Sequence, residues 1–341
     1  MKKTFRANLY FLVILLGEII LPFFLFSIYL ALGISDVRIQ LFLQHMILFV
    51  LPAILYVLIA KPDIKQTFKL NKLHLKDFFL IVVLSLICQP LVTLFSLITS
   101  FFFENDIANF VSEISSTSFI VMLLLMAVMP AITEEITLRG IVQAGYDDKG
   151  DFKTCIVIGL LFGIFHLNGQ QFLYAAVLGG ILAYLVRITN SIFASMTFHF
   201  MVNGTSVVMQ KVLTFVNAKF GIQESAEQIA IKSLSINEKL VLLGEYSIIG
   251  LISGILTILL LKKIKKINDQ RKEEFSNNIL SYNGISYKEY ISYDNKNTID
   301  EDVIVKDKAY DRIINWPLVA TIVIYLIYMS IEIYARYILV K

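Results

Sequence analysis

The chain has 341 residues, 57% of them hydrophobic and 17% charged, with a mean hydropathy of +0.72. A soluble globular chain is roughly 45–50% apolar, so this surplus excludes one water-soluble core and calls for lipid. The net charge is only +3 and the basic residues sit beside apolar runs, a pattern of membrane anchoring that excludes a nucleic-acid footprint.

A helix that crosses the bilayer core needs roughly 20 mostly apolar residues. Lys2, Lys3 and Arg6 precede the first such run, 9–32. It is too long for a signal-peptide core and lacks a small-residue cleavage site, so it reads as a retained span. Further spans fall at 40–60, 78–103, 118–138, 154–168, 171–187, 191–209, 241–261 and 315–338. The fifth and sixth are short, which suits tilted or shielded helices. Cys88 and Cys155 lie in apolar runs without a Cys-x-x-Cys pair, so neither a disulfide framework nor a Cys-based zinc site is expected. Gly159-x-x-x-Gly163 and Gly250-x-x-x-Gly254 fit close helix crossings.

The expected fold is all-α, a polytopic transmembrane bundle of about nine spans with its core in spans four to eight. It divides into 1–77, two spans with a basic loop; 78–261, the membrane core; 262–314, a polar, mixed-charge, Tyr-rich loop; and 315–341, a last span. Positive charge sets the orientation. Lys2, Lys3 and Arg6, the loop carrying Lys61, Lys65, Lys69, Lys72 and Lys76, and the run Lys262–Lys272 all belong inside. The loop 104–117 holds Glu104, Asp106 and Glu113 and no Lys or Arg, so it belongs outside. The chain is expected in the plasma membrane of a bacterium, N-terminus cytoplasmic, with membrane lipids as partners. Nothing in the sequence fixes its oligomeric state.

Ionisable residues inside spans are costly and mark function by default. Span four ends with Glu134-Glu135-x-x-x-Arg139. Adjacent helical residues point about 100° apart, so the two carboxylates cannot serve one point equally. Glu135 and Arg139 share a face as an i,i+4 pair, which turns Glu134 elsewhere. Alone, this could be a helix end emerging into water. Span five, however, carries Phe162-x-x-x-His166, and span seven carries His199-x-x-x-Asn203 on one face. At 1.5 Å per residue, Glu134 lies about 15 Å from the inner end of its span, His166 about 18 Å, His199 about 12 Å and Asn203 about 18 Å. Unrelated packing residues have no reason to agree in depth. Glu18 and His45 are isolated in spans one and two and read as packing or hydrogen-bonding residues.

The three motifs, complete and in this order on successive membrane helices, resemble the CPBP family: the CAAX prenyl endopeptidases and bacteriocin-processing or immunity proteins, also called the Abi family. The resemblance covers about 118–209. It implies an intramembrane endopeptidase acting on a peptide or lipidated-protein substrate. The candidate catalytic set is Glu134, Glu135, His166, His199 and Asn203, with Arg139 and Phe162 as structural support.

Peptide hydrolysis needs an activated water, an oxyanion stabiliser and a proton donor for the leaving amine. No Ser or Cys nucleophile accompanies the motifs, so water is the expected nucleophile and Glu134 the base. His166 would hold the water or shuttle its proton; His199 and Asn203 would donate to the oxyanion. The same residues also suggest zinc, held by His166, His199 and Glu134 with one open position. Yet His-Glu-x-x-His is absent and Asn is a poor zinc ligand, which favours the metal-independent version. The rival reading is a non-enzymatic immunity, scaffolding or transport protein that uses the polar cluster for binding.

Overall fold

The computed structural model describes residues 2–220, 234–282 and 311–339. Among them there is no strand; the elements are helices in the order α1 (Lys3–Leu32), α2 (Val37–Ala60), α3 (Leu75–Ser100), α4 (Asp106–Glu113), α5 (Phe119–Val142), α6 (Asp151–Phe165), α7 (Gly169–Thr189), α8 (Ile192–Phe220), α9 (Ile236–Tyr282) and α10 (Trp316–Leu339). Eight of these, all but α4 and α6, are long and apolar enough to cross a membrane. With no water in hydrocarbon to satisfy an open backbone, helices are the form such segments must take. The chain is an integral membrane protein with a helical-bundle fold.

The fifth expected span is the exception. α6 has 15 residues, about 22 Å at 1.5 Å per residue, short of the bilayer core. Leu167 then turns the chain with a left-handed φ of 45°, and Asn168 caps α7, its Oδ1 accepting from Gln171 N at 3.0 Å. The two helices form a tight hairpin because glycines let their backbones touch. A Cβ on Gly159 would lie 2.6 Å from the Ala176 carbonyl, and one on Gly163 would lie 2.7 Å from that of Phe172. Gly250 similarly admits Leu94, whose Cδ2 a Cβ would meet at 2.6 Å, and so seats α9 on α3.

Two long helices widen into π turns, Met46–Val50 in α2 and Leu124–Val128 in α5. Each ends two residues before a proline, Pro52 or Pro130. Proline lacks an N–H and its ring crowds the carbonyl four residues back, so a local widening relieves both faults. A third π turn, Ile136–Val142, begins directly after Glu135.

The loop expected over 262–314 begins instead as helix: α9 runs unbroken through Tyr282. Arg271 Nη1 holds the buried Asp77 Oδ2 at 2.5 Å, which docks this extension onto the start of α3. The Tyr-rich remainder of the loop, 283–310, lies outside the described residues. Cross-links between segments gather the basic stretches at one end of the bundle. Thr4 Oγ1 donates to Gly145 O at 2.9 Å, Lys69 Nζ pairs with Asp147 Oδ2 at 2.6 Å, and Arg187 Nη2 donates to Lys149 O at 2.9 Å. At the opposite end Asn168 Nδ2 reaches Asp106 Oδ2 at 3.1 Å.

Candidate active site

The three motifs converge where α5, α6 and α8 meet. Glu135 and Arg139 are fully buried, and Arg139 Nη1 lies 3.0 Å from Glu135 Oε1. The guanidinium also donates through Nη2 to the Gly179 carbonyl at 3.2 Å and stands 4.4 Å above the centre of the Phe162 ring. A buried ion pair needs partners for its remaining donors and acceptors; α7 and Phe162 supply some, while Arg139 Nε and Glu135 Oε2 stay buried without a hydrogen bond. Phe162 is the hub: its ring also meets His166 edge-on at 4.8 Å and His199 at 5.8 Å.

His199 Nδ1 donates to the same Glu135 Oε1 at 2.8 Å. That bond fixes the tautomer and leaves Nε2 as the working nitrogen, as an acid–histidine pair does at many sites. Nε2 faces Glu134 Oε2 at 4.0 Å, beyond direct hydrogen-bond range. Glu134 is half-buried, and its Oε2 is a buried oxygen without a hydrogen-bond partner. The two neighbouring carboxylates thus have separate surroundings: Glu135 Oε1 is held by a cation and an imidazole, and although both residues keep an unpartnered Oε2, that of Glu134 faces His199 Nε2 across the gap.

His166 caps the end of α6, where its Nδ1 donates to the Phe162 carbonyl at 2.7 Å. Its Nε2 is therefore also the outward nitrogen. Asn203 takes a position the sequence did not suggest. Its Nδ2 donates to the Met126 carbonyl at 3.1 Å, the carbonyl deprived of its ordinary helical donor by Pro130. One of its two N–H groups thus secures α5, and one remains.

Two further residues, Glu18 and His45, reach the site from α1 and α2. Gln44 Nε2 donates to Glu18 Oε1 at 3.4 Å, and Glu18 lies within electrostatic reach of Glu134. Thr133 gives its hydroxyl proton to the Met129 carbonyl at 2.9 Å, so its oxygen accepts from His45 Nδ1 at 3.0 Å. His45 in turn lies within reach of His199. The same depth argument that grouped the motifs could have found both: Glu18 lies about 22 Å from the start of α1 and His45 about 12 Å from the opposite end of the bundle. Tyr174 of α7 also comes within electrostatic reach of Glu134.

A zinc ion would need Glu134 and the Nε2 atoms of His166 and His199 around one point. Among the described residues no three His, Cys, Asp or Glu side chains are so placed.

Residues 116–205 match the family of type II CAAX prenyl endopeptidases, Rce1-like. The match spans all three motifs and supports the CPBP resemblance read from them; at the family level it points to a membrane peptidase. No curated protein and no solved structure matched the chain.

Proposed function

We propose that the protein is an intramembrane endopeptidase of the CAAX type that hydrolyses a peptide bond with water activated by Glu134, without a metal. The observation that carries this reading is the unpartnered Glu134 Oε2 facing His199 Nε2 across 4.0 Å. A gap of that size between two acceptors suits one water donating a hydrogen to each. Both of its hydrogens are then engaged, and its lone pair is free for a carbonyl carbon.

The steps follow from these roles. Glu134 takes one proton as the water oxygen bonds to the scissile carbon. The carbonyl oxygen becomes an oxyanion, and the second N–H of Asn203 donates to it. Collapse of the intermediate breaks the C–N bond, and the proton passes from Glu134 to the leaving amine, with His166 Nε2 as an acceptor along the way. Glu135 and Arg139 hold His199 in its tautomer and do not touch the substrate. Peptides with a lipid-modified C-terminus are the substrates the family match favours, since their anchor keeps them in the same bilayer.

The test is cleavage of a fluorogenic farnesylated CAAX-type peptide by the full chain in proteoliposomes. Glu134→Gln, nearly isosteric and unable to act as a base, should fold normally and show no turnover. Full activity in that variant removes Glu134 from the mechanism. Wild-type protein that binds such peptides without cleaving any would favour the non-enzymatic reading. Exhaustive chelation should leave the wild-type rate unchanged; a loss that zinc alone reverses would reassign the histidines as ligands.

A further inference from the structure

A pocket of about 540 Å³ opens at the basic end of the bundle. Its walls are the start of α1, the chain between α2 and α3, and the segment that follows α5. Lys3, Arg6, Lys65 and Lys69 line it, against a single carboxylate, Asp147, which Lys69 already holds at 2.6 Å. Arg6 is half-buried and its Nε is a buried donor without a partner. A buried donor on a cation is expensive to leave unmatched. The wall is built rather than incidental: Lys61 and Lys69, which bracket the turn carrying Lys65, both adopt left-handed φ angles of 43° and 49°, and Lys69 O accepts from Ile192 N at 3.1 Å.

We propose that this pocket binds the phosphate-bearing headgroup of an anionic membrane lipid. The charge balance calls for an anion, and the guanidinium and ammonium groups suit phosphate oxygens. The position calls for a lipid. The pocket lies where α1 and α5 reach the basic end of the bundle, the level of headgroups for a chain embedded in a bilayer. Tyr56 of α2 lines it, and the neighbouring outward residues of α2 are apolar and bare: Leu58 is 63% exposed and Ile59 81%. Acyl chains can run down that face while the phosphate stays among the cations, the arrangement of basic headgroup pockets between membrane helices. The site is separate from Glu134 and does not depend on the peptidase reading.

Native mass spectrometry of the full chain in detergent, titrated with phosphatidylglycerol or with phosphatidylcholine of the same acyl chains, tests this. Wild type should retain phosphatidylglycerol preferentially. R6Q/K65Q should weaken that retention roughly 30-fold, since each cation near an anionic headgroup contributes about a factor of five. K3Q/K65Q leaves Arg6 in place and should give a similar loss even if Arg6 proves necessary for folding. K262Q/K263Q, at the same end but outside the pocket, should behave as wild type. Displacement by millimolar inorganic phosphate would keep the phosphate chemistry but assign the pocket to a soluble anion, overturning the lipid. Equal retention of the two lipids, or equal loss in K262Q/K263Q, would overturn the site altogether.

Discussion

Glu134 and Glu135 are adjacent in sequence and opposite in circumstance. A helix turns 100° per residue, and that rotation puts one carboxylate against Arg139 and His199 and the other towards an open point. Their variants should therefore fail differently. Removing Arg139 leaves Glu135 as a buried charge without its cation, and breaking a buried pair from one side costs about 3–5 kcal/mol. Arg139→Ala should lower the unfolding temperature in detergent as well as the rate. Replacing both partners, as in E135L/R139M, removes the uncompensated charge and should recover most of the stability. It should not recover turnover, because His199 then lacks the acceptor that fixes its tautomer. Stability lost in the single variant and regained with activity in the double would make the pair purely structural. The pair itself was legible from its i,i+4 spacing. Glu18 and His45 offered only their depth, because a lone ionisable residue has no neighbour in sequence to declare its face; the bundle brings them within electrostatic reach of Glu134 and His199.

At the level of the helix, the wide turns explain more than the spacing does. Apolar runs announce helices, but a π turn depends on how a proline is accommodated, and no hydropathy pattern encodes that. Hydropathy was equally blind to the length of α6: Phe152, Ile156 and Leu160 form an exposed apolar stripe while Ile158, Leu161, Phe162 and Phe165 are buried, and only the fold shows that Gly159 and Gly163 draw this short helix against α7. Asn203 joins these themes. The sequence places it on the face of His199, yet its amide also repairs the carbonyl of Met126 that Pro130 leaves without a donor. Asn203→Ala should thus be slow but active, by about 10²–10³ if the lost oxyanion donor dominates. It should also be less stable by about 1–3 kcal/mol for the unsatisfied carbonyl. Pro130→Ala restores a backbone N–H at that place. In P130A/N203A the stability should return while the rate stays low. Recovery of both would mean that Asn203 serves only the helix; recovery of neither would separate Met126 from its role.

Across the whole molecule, the distribution of charge decides which side of the membrane the chemistry serves. Lys3, Arg6, Lys65, Lys69, Arg187 and Arg271 come from segments far apart in sequence, and the fold brings their segments to one end. The acidic loop before α5 lies at the other. Positive segments remain on the cytoplasmic side during insertion, so that end should face the cytoplasm. Glu134 lies eight residues before the end of α5 and fifteen after its start, or about 12 Å from the basic end against about 22 Å from the other. A site at that depth opens most readily to the basic side. If that side is cytoplasmic, substrates made and lipidated in the cytoplasm reach it without crossing the bilayer. Single cysteines report this directly, because the native Cys88 is fully buried and Cys155 lies within α6. With Cys155 replaced by alanine, a membrane-impermeant maleimide added to intact cells should label a cysteine at Asn105 and spare one at Lys65 until the cells are opened. The reverse pattern would invert the bundle, place Glu134 nearer the outer leaflet, and exclude cytoplasmic lipidated peptides as substrates whatever the chemistry of the site.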